Sequence, residues 1–201
     1  MTTFADITDL LAVQAIELPS WAFGNSGTRF KVFSTPGTPR TVQEKIADAA
    51  TVHELTGLAP TVALHIPWDK VDDYAALREH AAGLGLALGT VNSNTFQDDL
   101  YKFGSLTHTD EAVRRKAVDH HLECIEIMHQ TGSRDLKIWL ADGTNYPGQG
   151  TSAGGRTAWP RAWPSSTTGW ARSSGWCWST SFTSRRSTTP TSPTGAPPTP
   201  R

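Results

Sequence analysis

The sequence predicts a parallel α/β fold, a partial (β/α)8 barrel with about the first four strands, and three observations predict it. Between residues 40 and 142, short β-branched apolar runs alternate with stretches of helical period, at roughly 30 to 45 residues per unit. Each helical stretch stops at a glycine, the residue that a left-handed C-cap favours. Aromatic and hydrogen-bonding side chains crowd into the segments just after the short runs, where a barrel of this type keeps its active face.

The elements follow in order. A short helix is expected from Asp6 to Ile16 and a first strand from Leu18 to Ala22. Val42, Ile46, Ala49 or Ala50, Val52 and His53 recur at helical spacing and stop at Gly57. Thr61 to Ile66 (TVALHI) is apolar, β-branched and closed by Pro67, which predicts a buried strand. Tyr74, Leu77, His80 and Ala81 mark a second helix ending near Gly83 or Gly85, and Leu86 to Val91 the next strand. Thr109, Asp110 and Glu111 open a third helix, with acidic groups at the positive end of its dipole. Val113, Ala117, His121, Cys124 and Met128 form its stripe, Gly132 ends it, and Leu136 to Leu140 (LKIWL) supplies the fourth strand. Four strands and three helices do not close a barrel.

Composition divides the chain in two. Residues 1–150 use the full alphabet and carry 12 basic against 19 acidic residues, whereas residues 151–201 contain no Asp, Glu, Lys or His and six arginines. An acidic folded part argues against a nucleic-acid partner. Cys124 and Cys177 give no disulfide framework and fit a reducing, cytoplasmic setting. The start MTTFADITDLL lacks a basic region followed by an unbroken apolar stretch, and no segment approaches about 18 apolar residues, so neither export nor a membrane span is expected.

A Ser/Thr/Pro-rich segment such as 151–201 is expected to be disordered, because it cannot bury enough apolar surface to offset roughly 1–2 kcal/mol of backbone entropy per residue. Yet five of the eight tryptophans fall there, and linkers are poor in tryptophan. A shifted reading frame of a GC-rich gene accounts for the bias. Re-reading each codon one base earlier permits, from Ser179 to Gly195, a run of the form E-(Y/H/D)-K-(L/F)-Y-E-P-A-F-Y-(Y/H)-x-x-V-x-D-W, and, from Thr151, a charged amphipathic helix.

The polar chemistry sits after the strands. Strand one leads into PSWAFGNSGTRF, strand two into HIPWDK, strand three into NSNTFQDD and strand four into WLADGTNYPGQ. Trp21, Phe23, Trp68, Phe96 and Trp139 are expected to ring one mouth. Aromatic faces over sugar C–H groups, with Asn, Asp and His between them for hydroxyls, make a carbohydrate pocket. A lone tryptophan at a strand end more often packs a core; the coincidence of several on one rim favours binding. His65 lies inside a strand end beside Trp68 and Asp69, whereas His53, His80, His120 and His129 are expected to be solvated on helices. The cluster Asp119, His120, His121, Glu123 and Glu126 reads as an exposed helix face with i,i+4 charge neighbours rather than a metal site.

Together LPSWAFGNSGTRF, LHIPWDK, VNSNTFQDD with YKFGSLTH, HHLECIEIM and LKIWLADGTNYPGQ resemble, in order and spacing, the L-rhamnose isomerases of the broad-specificity bacterial type, members of the xylose-isomerase-like barrel superfamily. The resemblance covers residues 17–150, and the re-read run E-x-K-x-Y-E-P-A-F-Y extends it into that family's next strand. It implies an intracellular, tetrameric aldose–ketose isomerase, activated by Mn²⁺ or another divalent metal, that interconverts L-rhamnose and L-rhamnulose. It further implies that His65 assists at the ring oxygen and that Trp21, Phe96 and Trp139 form pocket walls; Trp68 and Asp69 match the motif. The family's metal ligands and catalytic lysine belong to the region that here has no carboxylate, histidine or lysine, so no metal is expected to bind this chain and it is expected to be inactive. Two alternatives are a non-catalytic carbohydrate-binding fragment and, more weakly, an Arg/Trp tail that serves as an interaction segment.

Overall fold

The computed structural model describes residues 7–10, 13–25, 32–140 and 142, and the backbone of Cys177–Phe182. Five strands, β1 (Glu17–Pro19), β2 (Thr61–Ile66), β3 (Ala87–Ser93), β4 (Asp135–Leu140) and β5 (Cys177–Phe182), form one sheet in chain order with every neighbouring pair parallel. Three helices, α1 (Val42–Thr56), α2 (Tyr74–Gly83) and α3 (Glu111–Thr131), link the first four strands. The first four strands are the parallel α/β half-barrel that the alternating periods predict; the fifth, Cys177–Phe182, lies in the segment expected to be disordered and differs from that expectation. The rest of the segment expected to be disordered and out of frame lies outside the described residues.

Local chemistry explains where the helices begin. Thr41 and Glu44 form a reciprocal capping box on α1: the Glu44 amide donates to Thr41 Oγ1 at 3.2 Å and the Thr41 amide to Glu44 Oε2 at 3.2 Å. Asp73 accepts from the Ala76 amide at the start of α2, and Asp110 from the Ala112 amide at the start of α3, both at 2.8 Å. Glycine ends α1 and α3: Gly57 and Gly132 sit in the left-handed region at φ 69° and 76°. At Gly132 an added Cβ would also lie 3.2 Å from the Arg78 guanidinium carbon. Gly132→Ala is therefore expected to lower stability by about 1–2 kcal/mol, read as a fall in the urea midpoint at unchanged m-value.

Three boundaries differ from expectation. Of the helix expected from Asp6 to Ile16, residues 7–10 are helical and residues 13–16 are not. The first strand stops at Pro19 and Ser20–Ala22 form a 3₁₀ turn, closed by the Phe23 amide on Ser20 O at 3.2 Å. Strand β3 starts one residue late, because the Leu86 amide bonds Ala81 O at the end of α2. It then runs on through Asn92 and Ser93, which pair with His65 and Ile66.

The core lies between the sheet and the helices. Val62, Leu64 and Ile66 of β2, Ile46 and Ala49 of α1, Leu77 and Ala81 of α2, and Ala117 and Met128 of α3 are all nearly inaccessible. Strand β2 is buried along almost its whole length, as an interior parallel strand should be. In β4 burial alternates instead: Leu136, Ile138 and Leu140 are covered, while Asp135, Lys137 and Trp139 are exposed on the opposite face. That face is the one turned away from the core that Leu136, Ile138 and Leu140 join. Among the described residues, no helix is long and apolar enough to cross a membrane.

Candidate functional site

The C-terminal ends of β1 to β4 bring Trp21, His65, Trp68, Phe96 and Trp139 to one rim, whereas Phe23, also expected there, packs against the hydrophobic core. Register places His65 of β2, Asn92 of β3 and Lys137 of β4 in one row across the sheet. Above that row His65 is enclosed by rings. Trp68 stacks on it at 3.8 Å between centroids and 15° between planes, Trp21 meets it edge-on at 5.3 Å, and Phe96 edge-on at 6.1 Å. Phe96 in turn touches Trp139 at 5.3 Å. Trp68 and Trp139 remain 43% and 46% exposed, so two broad aromatic faces stay open to a ligand while the imidazole between the walls is 4% exposed.

This enclosure sets the charge of His65. Burial pulls its pKa down to about 4, against the opposing pull of the Asp69 carboxylate, so the ring is neutral near pH 7. Its Nδ1 and the hydroxyl of Thr95 are buried and have no hydrogen-bond partner among the described residues.

Asp69, expected at the sugar, is instead turned into the structure and 1% exposed. One carboxylate oxygen binds the Lys45 ammonium at 2.7 Å; the other accepts the Ser20 hydroxyl and the His65 amide, the latter at 2.8 Å. With both oxygens held by internal donors, its part is to clamp the β1 turn, the β2 end and α1 together. Asp142 does the same after β4: it accepts from Ser105 Oγ at 2.5 Å and from both the amide and the hydroxyl of Thr107 at 2.8 Å.

The helix histidines divide. His121 is fully buried and donates from Nδ1 to Ala117 O at 2.6 Å. His120, expected to be solvated, accepts the Asn94 amide on Nε2 at 3.1 Å, and its Nδ1 lies 3.2 Å from Glu123 Oε2. The helix face that carries Asp119, Glu123 and Glu126 is thus part exposed and part docked on the rim. Sequence reasoning also missed Ser20, Lys45, Asn94 and Gln97. Only Lys45 carried a signal, as the one charged residue within the Val42, Ile46, Ala49 stripe.

A divalent cation does not fit the donors present. Among the described residues no three His, Cys, Asp or Glu side chains converge on a point that a cation could occupy. Asp69 and Asp142 are held by internal donors, and residues 151–201 contribute neither carboxylate nor imidazole. A hard ion needs several oxygen ligands, which this set does not offer.

No family model matches the chain. It is 49% identical over 144 residues to a probable sugar isomerase from Rhizobium meliloti (strain 1021), a match covering 69% of this chain and 34% of that protein. It is likewise 49% identical over 140 residues to a probable sugar isomerase from Mesorhizobium japonicum, covering 67% of this chain and 32% of the relative. The chain thus spans about a third of the length of the curated relatives it matches. Among solved structures, an L-ribulose 3-epimerase superposes with TM-score 0.54 at 15% identity, over 83% of this chain and 48% of that one. A D-allulose 3-epimerase from Methylomonas sp. gives 0.52 at 16%, over 83% and 51%. At such identities these two share the fold.

Proposed function

We propose that the chain carries the N-terminal part of an aldose–ketose isomerase whose sugar is L-rhamnose, exchanged with L-rhamnulose. One observation carries this reading: Trp21, Trp68, Phe96 and Trp139 stand around a neutral, buried His65 at the strand ends. The exposed faces of Trp68 and Trp139 suit the C–H surface of a pyranose. An unpaired buried polar atom costs about 1–3 kcal/mol, so a sugar hydroxyl that reached His65 Nδ1 or Thr95 Oγ1 would recover that cost. The likeness to probable sugar isomerases over 144 residues supports the same class.

In the complete enzyme, Mn²⁺ or another divalent ion would supply the polarisation of the carbonyl as hydrogen moves between C1 and C2. This chain's own contribution is to bind and orient the sugar and to offer His65 as a neutral donor or acceptor. Because no donor set for the ion converges among the described residues, the polypeptide as written binds sugar without isomerising it. A lost reading frame near Gln149 accounts for the missing ligands.

Incubated with L-rhamnose and Mn²⁺, the purified 201-residue chain is expected to yield no ketose, whereas a gene restored to the upstream frame should yield L-rhamnulose. Turnover by the short chain would overturn the assignment of inactivity. Absence of turnover by the restored enzyme on L-rhamnose, with turnover on another aldose, would overturn the sugar. Calorimetric heat with L-rhamnose but no turnover from either form would favour a carbohydrate-binding role.

A further inference from the structure

Outside the wall itself, the hydrogen bonds around α3 close a circuit. Glu123 binds the Lys70 ammonium through Oε1 and His120 Nδ1 through Oε2. His120 Nε2 accepts the Asn94 amide, the Asn94 side chain donates to Gln97 Oε1 at 2.7 Å, and the same oxygen accepts Trp68 Nε1 at 2.8 Å. Two residues beyond Trp68 the chain returns to Lys70. The loops after β2 and β3 are therefore both fastened to one acidic residue on α3, and the indole that stacks on His65 is part of the loop so formed.

The circuit fixes the tautomer of His120. A backbone amide can only donate, so Nε2 must be the acceptor and Nδ1 must carry the proton that points to Glu123. The Cys124 thiol lies 3.8 Å from the same Nε2, and burial raises its pKa so that it stays protonated and presents a second donor. Loss of the Nε2 acceptor would leave the Asn94 amide, in an 8% exposed residue, without its partner.

Resting on the sugar-site reading for its consequence, we propose that His120 is a positioning residue of the aromatic wall: it holds Asn94, and through Gln97 it sets the plane of Trp68 over His65. It touches no sugar. Its action is on where the stacking surface lies.

The test uses the full chain, ¹⁵N-labelled, with L-rhamnose as probe. His120→Phe keeps a ring but removes its bonds to Asn94 and Glu123 and the Cys124 contact; the Asn94 amide should exchange about fivefold faster, the Trp68 indole signal should shift, and L-rhamnose should bind about fivefold more weakly, the factor expected for one net hydrogen bond. His120→Gln returns an acceptor near the Nε2 position and should restore Asn94 protection and most of the affinity. Should His120→Phe disturb the fold, Glu123→Gln, at a half-exposed residue, should move the same two signals in the same direction by a smaller amount. Unchanged Asn94 exchange and Trp68 signal in His120→Phe would overturn the proposal. If the parent chain binds no L-rhamnose, the sugar reading fails, while the two spectroscopic signals still decide whether His120 positions the wall.

Discussion

Asp69→Ala is expected to cost the folded chain about 3–5 kcal/mol, the range for breaking one side of a buried ion pair. The Lys45 side chain is 11% exposed and that of Asp69 is wholly buried, so removing the carboxylate strands an ammonium where water cannot readily reach it. The same change orphans the His65 amide and the Ser20 hydroxyl, both of which donate to the lost group. Three elements part as a result, since Ser20 follows β1, Lys45 lies on α1 and His65 ends β2. Urea unfolding measures the loss, and Trp21 and Trp68 should move away from His65 before the global transition. A double-mutant cycle with Lys45→Met separates the pair from the rest: Asp69→Ala should cost less in the Met background, because no ammonium remains to be stranded. A loss under about 1 kcal/mol in the single variant would show that water or a neighbour takes over the carboxylate's role.

That clamp also marks the limit of what the sequence discloses. Strand β2 was legible because five of the six residues before Pro67, all but His65, are apolar or β-branched and have no other good use, and α1 and α3 because their caps are local: Thr41 with Glu44, Asp110 with Ala112. The aromatic residues of the rim were legible as a set, since barrel topology alone brings strand ends together. Asp69 was not, because its meaning depends on Lys45, 24 residues earlier, and Ser20, 49 residues earlier. An acid after a strand looks the same in sequence whether it faces a ligand or an internal lysine. The same holds for His120: neighbours at i+3 and i+4 suggest a solvated face, and only the approach of the β3 loop turns one imidazole edge into an acceptor. Asn92 and Ser93 read as loop because they are polar, yet pairing with His65 and Ile66 keeps them in the strand.

Acid should destabilise the chain well above the range in which its carboxylates titrate, and the cause lies in two histidines. Burial pulls the pKa of both His65 and His121 down to about 4 from 6.5; at His121 the Ala117 carbonyl opposes that shift. Between pH 6.5 and 4 the unfolded chain therefore binds protons that the folded chain refuses, so stability rises with pH across that window and is lost as pH falls through it. A fully formed difference is worth about 1.4 kcal/mol per pH unit for each group. His121 alone contributes roughly 3 kcal/mol between pH 7 and 4; with the His65 part reduced for the portion of its surroundings that stays hydrated, the loss for the two together is on the order of 4–5 kcal/mol. Urea midpoints measured every half unit should fall throughout this interval, and His65→Phe should make the slope shallower because one of the two protons is gone. The ring ¹H–¹⁵N signals of both histidines should stay in their neutral form down to about pH 5. A flat profile from pH 7 to 5, or a His65 ring that takes up its proton near 6.5, would mean that the rim is open to water and that the imidazole enclosed by Trp21, Trp68 and Phe96 does not reach a sugar in its neutral state.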